Sequence, residues 1–261
     1  MKLHIIGPGV VGKATGEGFK RFGHQVVYTD RGDNHAVEAD LHLICTPEDT
    51  VKEVVQELAE GLGPSAEYAS GYHQVVVRSS VPPGTTTALA KKYPGVRFWH
   101  NPEFLREATA ESDFLHADRA VLGYTDNPFC YGLDQLYHEM GVPIYRCSSA
   151  VSEMVKLVTN ASLATQLGFW QTIQGLCETK GLNSHQVGRL VALDPRVSSY
   201  GPGMHGTSYG HTKCLPKDLA QLIRLGNEAQ RHVDVLEAVR LMDVVTQAIE
   251  MAAKERECAS S

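Results

Sequence analysis

Lys2 to Ile6 is a short β-rich run that leads directly into Gly7-Pro8-Gly9-Val10-Val11-Gly12. A helical stretch follows from Lys13 to Phe22, Gly23 stops it, and a second strand, Gln25 to Thr29, ends at Asp30. Strand, glycine turn, helix, strand and acid in this order form a whole dinucleotide-binding unit, which a lone glycine motif would not. Gly7 permits the tight turn, Gly9 lets the backbone approach a pyrophosphate, and Gly12 lets helix and strand pack closely. The helix N-terminus offers free backbone N–H groups and a partial positive charge to the phosphates, and Val10 and Val11 of the glycine turn are expected at the cofactor with it. Asp30 lies 18 residues after Gly12, where a carboxylate accepts hydrogen bonds from an adenosine ribose diol and repels a 2′-phosphate. NAD is therefore expected over NADP, although Arg31 next door is a residue type that accommodates such a phosphate.

Further strand and helix units follow. Leu41 to Cys45 is an apolar strand ending in Thr46-Pro47, and Thr50 to Leu62 has helical periodicity. Gln74 to Arg78 is a strand ending in Ser79-Ser80-Val81-Pro82-Pro83-Gly84-Thr85, and Arg97 to Trp99 leads into Asn101-Pro102-Glu103-Phe104-Leu105-Arg106-Glu107. Ala120 to Gly123 and Pro143 to Arg146 read as the last two strands. This alternation predicts an α/β fold, a Rossmann-type doubly wound parallel sheet whose ligands gather at the carboxyl ends of the strands.

From Ala150 the period changes to that of helix. Ser152 to Lys180 is one long helix, Ser184 to Leu193 a shorter one, and a glycine-rich loop runs from Tyr200 to Thr212. A last helix, with Pro216 as its first residue, is expected to run toward Glu257. The expected domains are 1–148, a NAD-binding Rossmann domain, and 149–261, an all-α domain built on the long central helix and carrying a cysteine loop. That helix has apolar residues on more than one side (Leu157, Val158, Leu163, Leu167, Phe169, Trp170, Ile173, Leu176), so a homodimer through it is expected.

Composition removes several classes of function. With 24 basic against 30 acidic residues, a net charge of −6 offers no footprint for nucleic acid or an anionic membrane surface. No apolar run approaches the roughly 20 residues of a membrane span, and the first strand begins too early for a signal peptide. A cytoplasmic chain is expected. Its six cysteines form no CxxC pair and its 12 histidines no HExxH motif, so reduced thiols and no catalytic metal are expected.

Lys156 and Asn160 are spaced four apart and so share one helix face. Cys214 stands just outside the expected start of the last helix, where the dipole and the neighbouring Lys213 favour a thiolate. These residues belong to a larger pattern. SSVPPGT, NPEFLREATAESDFLHADRAVLG, EMVKLVTNASLA, DPR and CLPKDLAQLI, in this order after GPGVVG, closely resemble the UDP-glucose/GDP-mannose dehydrogenase family. The resemblance runs from about residue 1 to about residue 230. It implies oxidation of a sugar hydroxymethyl group to a carboxylate with two NAD⁺. Cys214 would form a thiohemiacetal and then a thioester. Lys156 and Asn160 would stabilise alkoxide-like oxygens, Asp218 would hold the lysine or a water, and Glu107, with Glu103 in the same loop, would assist hydrolysis. Ser80 joins this catalytic set, standing where threonine is common in the family. The resemblance also places Thr46, Pro47, Ser80, Glu107 and Lys217 at the cofactor. Substrate would meet Phe104, Leu105, His211, Lys213 and Arg196, the last across a dimer interface.

Three departures bear on the substrate. The family's second α/β domain, which grips the nucleotide, lies beyond the point where this sequence stops. The connection from Asp30 to Ala39 is shorter than the family's. The family's Gly-Gly-x-Cys is replaced by His211-Thr212-Lys213-Cys214, in a loop with extra residues (Met204-His205-Gly206-Thr207). These predict a small-molecule alcohol substrate different from or smaller than the usual nucleotide sugar, with a phosphate suited to Lys213 and His211. The alternatives are a two-electron hydroxyacid-type dehydrogenase that uses Lys156 without the cysteine, and a non-catalytic NAD-binding subunit.

Overall fold

The structure is a computed structural model and describes residues 1–62, 72–201 and 208–260. The chain divides into two compact units, Met1–Lys156 and Leu157–Ser261.

The first unit is a seven-stranded sheet. Its strands are β1 (Lys2–Ile6), β2 (Gln25–Thr29), β3 (Leu41–Ile44), β4 (His73–Val77), β5 (Val96–His100), β6 (Ala120–Tyr124) and β7 (Ile144–Ser148), in the order β2-β1-β3-β4-β5-β6-β7. Alternate residues along the strands feed two different cores, as the two-residue period of a strand requires. Leu3, Ile5, Leu41, Leu43 and Val76 face one way and pack with Phe19, Phe114, Leu133 and Leu136. Ile6, Ile44, Val75 and Val77 face the other and pack with Val51, Val54, Val55, Leu58 and Leu89. The covering helices on the first face are α1 (Val10–Arg21), α4 (Ala110–Leu115) and α5 (Tyr131–Glu139); on the second they are α2 (Val51–Gly61) and α3 (Thr85–Lys92). The sheet is doubly wound, as expected.

One strand departs from the expected direction. β6 runs antiparallel to β5, pairing Trp99 with Tyr124 and His100 with Gly123, whereas every other neighbouring pair is parallel. The six-residue α4 packs on α1, where Phe114 meets Phe19 edge-on at 5.0 Å, and the chain re-enters the sheet at the end where β5 left it.

Helix α6 (Ser149–Thr179) has 31 residues, about 46 Å at 1.5 Å per residue, and continues from the first unit into the second. The second unit adds α7 (Ser184–Val191), α8 (Cys214–Glu228) and α9 (Asp234–Ser260). Its core joins Ala161, Ala164 and Leu167 of α6 to Leu215, Leu219 and Ile223 of α8 and Val239 of α9. The single last helix expected from sequence is thus two. Gln230 takes a left-handed φ of 53°, and Arg231 N–H donates to Gly226 O at 2.8 Å, a wrap-back that terminates α8. Among the described residues no helix is long and apolar enough to cross a membrane.

Candidate active site

The glycine turn in the first unit is built as its spacing predicts. Gly7 has φ +92°, and its N–H donates to Thr29 O at 2.9 Å, tying the turn to the end of β2. A Cβ on Gly12 would lie 2.2 Å from Gly7 O, so no side chain fits there, whereas the space around Gly9 is open. Helix α1 starts at Val10, three residues earlier than the sequence pattern suggested, with Gly9 as its N-cap. No side chain caps this end and no acid lies in its first turn. The N–H groups of Val10, Val11 and Gly12 therefore need an external acceptor, which a pyrophosphate supplies.

Asp30 stands exposed at the carboxyl end of β2; its Oδ1 accepts from Arg31 N, and its own N–H donates to Asp33 Oδ2. The next strand ends are laced together. Cys45 N–H donates to Ile6 O, and Ser79 Oγ donates to Thr46 O at 2.6 Å. Thr46 and Ser80 are half-buried there, and Pro47 is exposed. These groups fit a dinucleotide laid across the strand ends.

A buried ion pair lies at the start of α6. Lys156 Nζ donates to Glu103 Oε1 at 2.9 Å and to Glu103 O at 2.7 Å, with 3% and 8% of the two side chains exposed. The Phe104 ring lies 5.6 Å from the same ammonium, and Arg119 covers that ring at 4.5 Å. Glu103 Oε2 accepts from Leu105 N, so this carboxylate is fully engaged. Glu107, four residues on, is exposed at the start of a 3-10 turn. The two glutamates that sequence grouped together have different surroundings: Glu103 anchors the lysine, and Glu107 meets solvent.

Sequence reasoning missed two neighbours. Glu153 is buried and accepts from Thr86 N, Thr86 Oγ1 and Gly84 N, which pins the loop that carries Ser80. Burial pushes its carboxyl above the usual range despite those hydrogen bonds. Its place one helical turn before Lys156 was the available signal. His100 bonds Ser152 Oγ through Nδ1 at 2.8 Å and Ser79 O through Nε2 at 3.2 Å. Burial lowers its pKa to about 3, so it is neutral.

In the second unit, Cys214 is the first residue of α8 and is exposed, with Lys213 as N-cap. Sequence had placed it just outside a helix opening at Pro216, which is the third residue instead; the dipole argument for a thiolate applies equally in the first turn. Leu215 and Leu219 hold this end of the helix in the core. Asp218, one turn after Cys214 and fully buried, accepts from Asn160 Nδ2 at 2.6 Å and pairs with Lys217 Nζ at 2.8 Å. Lys217 is half-exposed. Arg196 is exposed and forks onto Asp194, with Nη2 to Oδ2 at 2.6 Å. The Met204-His205-Gly206-Thr207 segment and the His211 side chain lie outside the described residues. Asp243, which sequence did not single out, holds residues 208–210, which lie between the two: it accepts from Ser208 Oγ, Tyr209 N and Gly210 N at 2.7, 2.9 and 3.2 Å.

Comparison with known proteins bears on both units. Residues 29–141 match the NAD binding domain of the UDP-glucose/GDP-mannose dehydrogenase family, and residues 150–244 match its central domain. The cofactor of this chain is accordingly NAD, which the glycine turn and Asp30 accommodate. The UDP-glucose 6-dehydrogenase YwqF of Bacillus subtilis is 27% identical over 92% of this chain and 65% of its own length. The GDP-mannose 6-dehydrogenase of Azotobacter vinelandii is 32% identical over 74% of this chain and 49% of its own. The chain thus spans about half to two thirds of the length of these relatives. A UDP-glucose dehydrogenase from the archaeon Pyrobaculum islandicum superposes with a TM-score of 0.83 at 25% identity, over 94% of this chain and 68% of that one. Two domain matches, falling in order where the sheet and the cysteine-bearing helices lie, make this chain a member of the UDP-glucose/GDP-mannose dehydrogenase family.

Proposed function

We propose that the chain oxidises a primary alcohol of sugar type to a carboxylate in two hydride transfers, with Cys214 as the nucleophile. The observation that carries this reading is an exposed thiol in the first turn of α8, one turn from a buried carboxylate that holds Asn160 and Lys217. Bound at the glycine turn, NAD supplies the hydride acceptor. The alcohol first gives up its hydroxyl proton and a hydride, which leaves an aldehyde, and the Cys214 thiolate then adds to the aldehyde carbon. The resulting thiohemiacetal loses its hydride to give a thioester, and water then displaces the thiol to leave the acid. Asn160, oriented by Asp218, is a donor for the oxyanion. Lys156 is a fixed cation, with Glu103 keeping its ammonium in place. Glu107, exposed on its loop, is suited to deprotonate the hydrolytic water.

For substrate we favour an alcohol that carries a phosphate, because Lys213 places an exposed cation immediately before the thiol. NADH formed per substrate consumed, measured over nucleotide sugars, sugar phosphates and nucleoside phosphates, tests the proposal. Two NADH per substrate is the expected result, and Cys214→Ser should lower the rate by roughly three orders of magnitude or more. One NADH per substrate with an active Cys214→Ser protein would overturn the thioester route. Unchanged substrate affinity in Lys213→Ala would remove the case for a phosphate.

A further inference from the structure

Four polar side chains lie under α2 where apolar residues would pack more easily. His4, His42 and His35 are at most 3% exposed, and Thr29 is 8% exposed. His4 and His42 are register partners on β1 and β3, with their Nδ1 atoms 3.0 Å apart. His4 Nε2 is 2.8 Å from Thr29 Oγ1, which is 2.9 Å from His35 Nδ1. His35 Nε2 in turn faces Glu57 Oε2 at 3.5 Å. Burial holds the pKa of His4 to about 4 and of His42 to about 3, so both rings are neutral at physiological pH.

Donor and acceptor counting favours one proton order over its reverse. A carboxylate only accepts, so His35 Nε2 carries its hydrogen and Nδ1 is the acceptor. Thr29 must then donate to His35 and accept from His4 Nε2–H. His4 Nδ1 is left to accept from His42 Nδ1–H. The chain runs in one direction, from His42 to Glu57, and ends inside at the lone pair of His42 Nε2, which has no hydrogen-bond partner. An orphaned lone pair costs less than an orphaned buried N–H, so this order is favoured over its reverse.

Thr29 is the junction. Its carbonyl accepts from Gly7 N, the turn that receives the pyrophosphate, and the next residue is Asp30. The short connection after Asp30 has no helix, and His35 is its inward anchor. We propose that His35 is a positioning residue for the adenosine half of the NAD site, fixing the Asp30 loop through the chain His42–His4–Thr29–His35–Glu57. The inference rests on the NAD site reading above.

Calorimetric titration with ADP-ribose and with nicotinamide mononucleotide, accompanied by thermal melts, tests it. Thr29→Val, close in shape but without the hydroxyl, and His35→Ala should each weaken ADP-ribose binding about tenfold, the equivalent of one hydrogen bond. Thr29→Ser should bind as wild type, and mononucleotide affinity should not change in any variant. Wild-type ADP-ribose affinity in folded Thr29→Val and His35→Ala would overturn the proposal, as would an equal loss for both ligands. A wild-type protein that binds neither NAD nor ADP-ribose would instead overturn the reading beneath it.

Discussion

His4, His42 and His100 are neutral because they are buried, and that gives the protein a definite response to acid. Each would titrate near 6.5 in the unfolded chain, but in the fold they are held to about 4, 3 and 3. Between those values the unfolded chain takes up protons that the native state refuses. Their stabilisation is therefore complete above about pH 6.5 and is lost as pH falls toward the folded values. Glu153, whose carboxyl is raised by burial, acts in the opposite sense, but it is one group against three. The melting temperature should hold from pH 8 to 7 and fall steadily below 6.5, and His42→Val should flatten that slope. Equal melting temperatures at pH 7 and 5 in the wild-type protein would show that the rings titrate normally.

Among the elements, α9 has the least obvious task. Asp243 gathers three donors from residues 208–210, and Glu250 on the next two turns accepts from Ser208 N at 2.7 Å. This ties α9 to the backbone that leads into Cys214. Asp243→Ala leaves those donors without their buried acceptor, so stability should drop by about 2–3 kcal/mol. Maleimide labelling of Cys214 should change in rate, while Asp243→Asn, which keeps one acceptor oxygen, should lie between. A labelling rate and melting curve like wild type in Asp243→Ala would mean that the loop holds itself. The strands, the glycine turn and the cysteine motif were legible in sequence because each is a local pattern. The reversal of β6 was not, since alternation of strand and helix reports spacing and carries no direction. The break between α8 and α9, residues 229–233, was hidden because it holds no glycine or proline, and the left-handed turn at Gln230 falls on a residue type that does not announce it. The pairing of His4 with His42, 38 residues apart, and of Lys156 with Glu103, 53 apart, depends on strand register and loop path, which no local window contains.

At the scale of the whole molecule, one face of α6 bears on self-association. Leu157, Leu167 and Trp170 of α6 are buried, yet Val158, Phe169 and Leu176 are exposed, and Ser162 and Thr172 complete their stripe at helical steps. We propose that this stripe meets its equivalent in a second copy. Sedimentation should then give twice the 28.5 kDa chain mass, and Phe169→Asp with Leu176→Asp should give the single chain. A 28.5 kDa species of the wild-type protein at working concentration would count against both the dimer and a trans role for Arg196. The boundary between the units lies between Lys156 and Leu157, inside unbroken helix. A fragment ending there would have Glu153 and Lys156 in a terminal turn whose carbonyls lack their helical donors, and such turns fray. The loop held by Glu153 and the ammonium held by Glu103 would loosen together. In genetic terms, the first unit is not a free-standing cassette at that joint: a gene that expresses it alone must run on into α6 far enough to keep the turn that holds Glu153 and Lys156.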